Sequence, residues 1–312
     1  MSEQRIIFMG TPVFACGILQ RLIDEGCNIV GVVSQPDKKV GRKQELQPTP
    51  IKQLAEKYRI PVLQPQRIKE EYEPILALKP DMIITCAYGQ IVPQIVLDAP
   101  AYGCINVHAS LLPRLRGGAP IHKAIIYGEA ETGVSIMRMV KKMDAGPVCA
   151  VASLKISETD TTGTLHDKLM ALGADCLAEV LPKLFADEAK FIEQDESQAT
   201  FAWNISKEEE LIDFNRPAKA VYNHLRGLIP SPVGYALING KKMKFHQVSL
   251  SLEKSDAAFG TVLGFDADSM KVAVDGGIIH IHQLQLEGKA KTSAREFYNG
   301  AGRSYIGKEF NK

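Results

Sequence analysis

The 312-residue chain has almost no net charge: Lys and Arg number 37 against 36 Asp and Glu, a formal balance of +1. No global field therefore draws it to a polyanion, and any contact with nucleic acid must rest on local patches. Paired cysteines are also missing. Cys16, Cys27, Cys86, Cys104, Cys149 and Cys176 are scattered, mostly inside apolar runs, and none forms Cys-x-x-Cys. That pattern argues against a zinc site and fits reduced, buried thiols in a cytoplasmic protein. No apolar run is long enough to span a membrane, and Met1-Ser-Glu-Gln-Arg5 leads straight into a candidate strand. Neither signal peptide nor membrane anchor is expected. The glycine-rich dinucleotide fingerprint is absent, because Gly10 is followed by Thr11-Pro12, and no Walker sequence occurs. There is no case for NAD or ATP.

What is present is an ordinary globular composition, 45% hydrophobic and 23% charged, at a length that suits two domains. Arg5–Met9 reads as a buried strand, Val13–Glu25 as a helix with Phe14, Ile18 and Leu22 at helical spacing, and Asn28–Val33 as a second strand. This β-α-β opening predicts an α/β class with a doubly wound, Rossmann-like parallel sheet. Residues 34–48 are polar and basic, with Lys38, Lys39, Arg42 and Lys43, and are too long for a routine connection. Thr49 and Pro50 predict a capped helix start. Asp81–Ala87 is a strongly apolar strand ending at Tyr88-Gly89.

The most informative stretch is Gly103–Pro120. Cys104–His108 alternates β-branched with small or polar residues, so a strand would carry Asn106 and His108 on one side at its tip. An amide and an imidazole there suit a crevice at the carboxyl ends of a parallel sheet. A turn-rich loop follows, then Pro120 opening a helix. Further on, Asp144-Ala-Gly146 forms a tight turn between the strands Val134–Val140 and Val148–Ile156, with Gly146 expected to supply a positive φ.

Together Asn106-x-His108, Ser110-Leu-Leu-Pro113, Arg116-Gly-Gly-Ala-Pro120 and Asp144-Ala-Gly146 resemble the folate-dependent formyltransferases, over essentially the whole chain. The resemblance is nearest to members that formylate a charged tRNA. It implies transfer of the formyl group of 10-formyltetrahydrofolate, with no metal, to the α-amino group of methionyl initiator tRNA, by a cytoplasmic monomer. It implies Asn106, His108 and Asp144 as the catalytic set, and Ser110, Leu111, Leu112 and Pro113, with Tyr88 and Gly89, as the border of the folate. Arg42, in Gly-Arg-Lys, is carried over as a tRNA contact. Lys38, Lys43 and Lys207 are further candidates.

The implied domains are a catalytic domain over 1–187, a linker over 188–206, charged and loosely patterned, and a tRNA-binding domain over 207–312. Beyond Pro230, five short runs broken by Gly, Asn and Asp predict a small OB-like β-barrel. Lys241, Lys242, Lys244, Lys289, Lys291 and Arg295 are its candidate phosphate contacts. Three positions depart from the family pattern. Leu115 stands where many members have an aromatic, Ala145 where many have Thr, and Pro230-Ser231-Pro232 where many have Pro-Trp-Pro. Other readings remain: a formyltransferase acting on a small amine, and a tRNA- or folate-binding protein without turnover. A generic Rossmann oxidoreductase is disfavoured by the absent glycine fingerprint.

Overall fold

The computed structural model of the protein describes residues 3–41 and 44–311. Their backbone divides into two compact units. The first comprises Met1–Pro120, Thr132–Leu154 and His166–Trp203, and the second Ile121–Glu131, Lys155–Leu165 and Asn204–Lys312.

In the first unit, β1 (Arg5–Gly10) is buried at every position after Arg5, as a central strand of a parallel sheet must be. Helix α1 (Val13–Asp24) covers it with Phe14, Ile18 and Leu22, and β2 (Asn28–Val33) returns parallel to β1. The basic stretch then forms a hairpin of β3 (Lys38–Val40) and β4 (Glu45–Gln47). Helix α2 (Pro50–Lys57) starts at a Thr49 hydroxyl that accepts from the Lys52 amide, as Thr49-Pro50 predicts. There follow in chain order β5 (Val62–Leu63), α3 (Glu73–Ala77), β6 (Met82–Cys86), α4 (Gln94–Leu97), β7 (Cys104–His108), α5 (Pro120–Ile126), β8 (Glu131–Arg138), β9 (Val148–Lys155) and the long helix α6 (Thr162–Phe185), of which α5 beyond Pro120 and the start of α6 up to Leu165 group with the second unit. The sheet order is β5-β2-β1-β6-β7-β8-β9, parallel from β5 to β7 and antiparallel at β7–β8. The chain winds outward from β1 in one direction to β2 and in the other to β6. The carboxyl ends of β1, β6 and β7 thus frame a switch-point crevice.

The second unit holds α7 (Ala218–Gly227), β10 (Tyr235–Ile238), β11 (Lys241–Ser251), β12 (Val262–Phe265), β13 (Met270–Val274), β14 (Gly277–Leu286), β15 (Thr292–Ser293) and α8 (Ala294–Asn299). The strands form an antiparallel, curled half-barrel in the order β10-β11-β14-β13-β12, with β15 paired to β14. Its core joins Leu225 and Val221 of α7 to Phe245, Ile279, Ile281 and Leu284. Residues 155–165 group with this unit for a physical reason. The buried guanidinium of Arg226 donates to the carbonyls of Ser157 (2.9 Å) and Asp160 (2.7 Å), and the Thr162 hydroxyl donates to Gly227 (2.6 Å). Among the described residues, no helix is long and apolar enough to cross a membrane.

Candidate active site

Strand β7 delivers its polar residues at the carboxyl end of the sheet, as its alternation predicts. Asn106 stands beside Thr85 of β6, whose hydroxyl donates to Asn106 Oδ1 at 2.9 Å. That bond orients the amide, and among the described residues its NH2 has no hydrogen-bond partner. Two residues on, His108 is 6% exposed. Its Nε2 lies 3.0 Å from the Leu115 carbonyl, an acceptor only, so Nε2 carries the proton. The opposite nitrogen, Nδ1, faces Asp144 Oδ2 at 3.7 Å. The structure therefore brings His108 and Asp144 together across 36 residues of sequence and sets Asn106 on the same strand tip.

Asp144 sits in the connection between β8 and β9. The positive φ expected at Gly146 belongs instead to Asp144 (φ 48°), a residue type that tolerates the left-handed region. Gly146 is needed for a different reason: a Cβ there would lie 1.9 Å from the Arg138 carbonyl. Asp144 Oδ2 accepts from the Gly117 amide at 2.8 Å, so the carboxylate is tied to the loop that follows His108. The Asp144 side chain is 16% exposed, against 7% for His108, which makes the carboxylate the more accessible of the pair.

A set of residues that the sequence reading missed supports this turn. The Gln194 amide donates to the carbonyls of both Asp144 (2.9 Å) and Gly146 (2.7 Å). Gln194 Oε1 in turn accepts from Arg116, Nη2 at 2.7 Å and Nε at 3.1 Å. Arg116 is fully buried and also pairs with Glu196 at 2.9 Å, which Lys142 grips from the other side at 2.6 Å. The two cations hold the Glu196 carboxyl down at about 2. The loop is further stitched down by backbone. Arg116 donates to Thr200 (2.9 Å), Ala202 donates to Arg116 (2.7 Å), and Ala119 donates to Ala202 (3.0 Å). The stretch read as a linker, 188–206, thus carries Gln194, Glu196, Thr200 and Ala202 into the first unit.

Leu111, Leu112 and Pro113 are half-buried. Their segment is fixed by Ser135 Oγ, which donates to the Ser110 carbonyl (2.8 Å) and accepts from the Leu112 amide (3.1 Å). The Ser110 hydroxyl donates to the Arg114 carbonyl at 2.6 Å. Tyr88 is 4% exposed and belongs to the same core cluster as Ile83 and Val92. Its carbonyl does reach the strand ends, accepting from Thr11 Oγ1 (2.9 Å) and Gln35 Nε2 (3.2 Å), and Gly89 beside it has φ 94°. What Tyr88-Gly89 offers at the rim is backbone. Lys38 is exposed on β3 of the first unit and Lys207 is exposed in the second. Arg42 and Lys43 lie outside the described residues. Burial raises all six thiols, Cys104 to about 12 and Cys16 and Cys149 to about 11, so none is a thiolate nucleophile at neutral pH.

The arrangement is an oriented amide donor, a buried imidazole with one free lone pair and an accessible carboxylate, at the switch point of a parallel sheet. Comparison with known proteins gives the family. A family profile described as formyl transferase matches residues 4–181, and one described as formyl transferase, C-terminal domain, matches residues 204–302. The chain is 50% identical over 301 residues to a protein named methionyl-tRNA formyltransferase from Geobacillus sp. (strain WCH70), covering 96% of this chain and 95% of that one. Among solved structures, HypX from Aquifex aeolicus in complex with tetrahydrofolic acid superposes with a TM-score of 0.71 at 16% identity, covering 98% of this chain and 48% of that one. An N-formyltransferase from Helicobacter canadensis, in complex with folinic acid and dTDP-3-aminofucose, superposes at 0.68 with 17% identity, covering 89% and 98%. At those identities the two structures speak to the fold alone.

Proposed function

The chain belongs to the formyl transferase family, and on that premise we propose that it transfers the formyl group of 10-formyltetrahydrofolate to the α-amino group of methionyl initiator tRNA. The observation that carries the chemistry is the Asn106, His108 and Asp144 set at the end of β7. The match to the charged-tRNA branch over nearly the full length of both chains carries the choice of acceptor. The basic β3–β4 hairpin and the C-terminal unit are features that a small amine acceptor does not need.

An α-amino group titrates near about 8, so a useful fraction attacks as free base and no covalent relay is required. As the amine adds to the formyl carbon, negative charge develops on the formyl oxygen. The uncommitted NH2 of Asn106 donates to that oxygen, a contact worth about 3 kcal/mol in comparable sites. The amine must then lose a proton. Asp144, the more accessible partner, receives it, and His108 Nδ1 across the 3.7 Å gap shares it. With Nε2 already donating to Leu115, a proton on Nδ1 makes an imidazolium bound on both sides, by a carbonyl and by a carboxylate. The pair then returns a proton to the departing folate nitrogen. His108 acts here as a shuttle, and the oxyanion is left to Asn106.

In this reading Leu111, Leu112 and Pro113 offer apolar contact to the flat pterin, and the Ser110–Pro113 and Tyr88–Gly89 backbones read its polar edge. Residues 1–187 form the catalytic domain, buttressed by 188–206. Residues 207–312 form the tRNA-binding domain, with Lys38, Arg42, Lys43 and Lys207 on the phosphates. We infer a monomer working in the cytoplasm. The test is acceptor choice. The protein is given 10-formyltetrahydrofolate with methionine-charged initiator tRNA, uncharged tRNA, an amino-sugar nucleotide or a glycinamide nucleotide. Formylation of the charged tRNA alone is expected. Formylation of a nucleotide amine in its place would move the protein to the small-amine branch.

A further inference from the structure

Phe201 and Trp203 stack in parallel on the first unit, with ring centroids 5.2 Å apart and planes within 3°. They are 42% and 60% exposed, while Ala202 between them is fully buried, as alternation along an extended segment requires. The pair is an apolar, flat surface, and its backbone is hydrogen-bonded to the loop that follows His108 through Ala202, Arg116 and Ala119. Phe201 is bridged to Arg116, and the Gly117 amide next to Arg116 holds the Asp144 carboxylate at 2.8 Å. Strand spacing and residue length then put the Phe201 backbone no more than about 13 Å from that carboxylate.

We propose that Phe201 and Trp203 form a stacking platform for the unpaired nucleobases at the 3′ end of the charged tRNA. The inference rests on the function proposed above, since the amine that must reach Asp144 hangs as an ester from the terminal nucleoside. An acceptor end that brings its amine to Asn106 and Asp144 carries its terminal bases past the surface beside Gly117. Single-stranded nucleic acid is held by such aromatics because every base offers a π face, whatever the sequence. The backbone pairing of 200–202 to the 116–119 loop also means that a base stacked here sits on a segment rigidly joined to the catalytic turn. The other flat molecule in the reaction, the folate, is the competing occupant, and the test separates the two.

Trp203 is the only tryptophan in the chain, so its fluorescence reports this surface directly. The full-length protein is titrated with methionyl initiator tRNA and with a four-nucleotide RNA ending in the acceptor sequence. Saturable quenching by both is expected. Steady-state kinetics on Trp203→Ala should show KM for the charged tRNA raised about tenfold, with KM for 10-formyltetrahydrofolate unchanged. Trp203→Phe, which keeps a flat ring, should restore most of the loss, and circular dichroism should report the same fold for both variants. Absence of quenching by charged tRNA that the wild type is formylating would overturn the proposal. So would a raised folate KM in Trp203→Ala, which would assign the surface to the folate. If the wild type formylates no tRNA at all, the functional reading itself has failed. Quenching by the short RNA then decides the platform separately.

Discussion

His108 Nε2 donates its proton to the backbone carbonyl of Leu115 at 3.0 Å. This one bond decides the tautomer, because a carbonyl cannot donate. It leaves Nδ1 as the only ring nitrogen able to take up a proton, and it points that nitrogen at Asp144. His108→Ala should therefore lower kcat about a hundredfold or more with folate affinity retained, as measured by single-turnover formylation and equilibrium folate binding. A variant that lost folate affinity and kept its turnover rate would assign His108 to binding.

Gln194 holds the Asp144 turn from outside it, through the Asp144 and Gly146 carbonyls. Gln194→Leu keeps the size but removes both donors and the acceptor used by buried Arg116. The expected result is a kcat lowered about tenfold or more, an unchanged KM for folate, and a loss of about 1–3 kcal/mol in stability by denaturant titration. Wild-type turnover in this variant would mean that the turn holds its own geometry.

In the proposed function, the basic stretch 34–48 acts on tRNA through charge. Arg42→Ala should raise KM for the charged tRNA and flatten the dependence of log(kcat/KM) on log[salt] by about one phosphate contact, with folate kinetics unaltered. Unchanged tRNA kinetics at every salt concentration would reduce residues 38–47 to a solvated insertion.

Acid should destabilise the second unit before its carboxylates titrate. Burial lowers the pKa of His224, whose Nε2 donates to the Glu209 carbonyl at 2.7 Å, with the Arg216 and Lys123 charges adding to the effect. Burial lowers that of His246 as well. Between these lowered values and the unfolded value near 6.5, the unfolded chain binds more protons, so stability is complete above about pH 6.5 and falls as pH drops. The slope for His224 cannot exceed about 1.4 kcal/mol per pH unit, the limit for one proton. His224→Gln should make the acid limb between pH 5 and 6.5 shallower in urea titrations. An identical limb would place the lost protons elsewhere.

The parts of the site that obey a local rule were legible in the sequence. Asn106 and His108 share a strand tip because strands alternate, and Thr49-Pro50 starts a helix because the cap chemistry is local. Sequence alone puts the positive φ at Gly146, because glycine accepts it most readily. The structure gives it to Asp144 and uses the small size of Gly146 against the Arg138 carbonyl, a contact between strand ends that no local pattern encodes. Gln194, Glu196 and Thr200 were invisible for a related reason. They act on residues about 80 positions away in the case of Arg116, through side-chain hydrogen bonds and single backbone bridges, which leave no periodicity. The hairpin β3–β4 has strands too short to alternate. By contrast, the Ser293 and Glu296 capping box that opens α8 is a local Ser-x-x-Glu pattern.

The most direct test of the account is single-turnover formylation of methionyl initiator tRNA by the wild type and by Asp144→Asn, at saturating 10-formyltetrahydrofolate. The substitution keeps an oxygen for the Gly117 amide and the shape of the turn, and removes the charge proposed to receive the amine's proton. The account predicts prompt formation of N-formylmethionyl-tRNA by the wild type and a rate lowered about a hundredfold or more in the variant, with folate binding intact. Equal rates within a few-fold would contradict it, since proton removal would then not pass through Asp144.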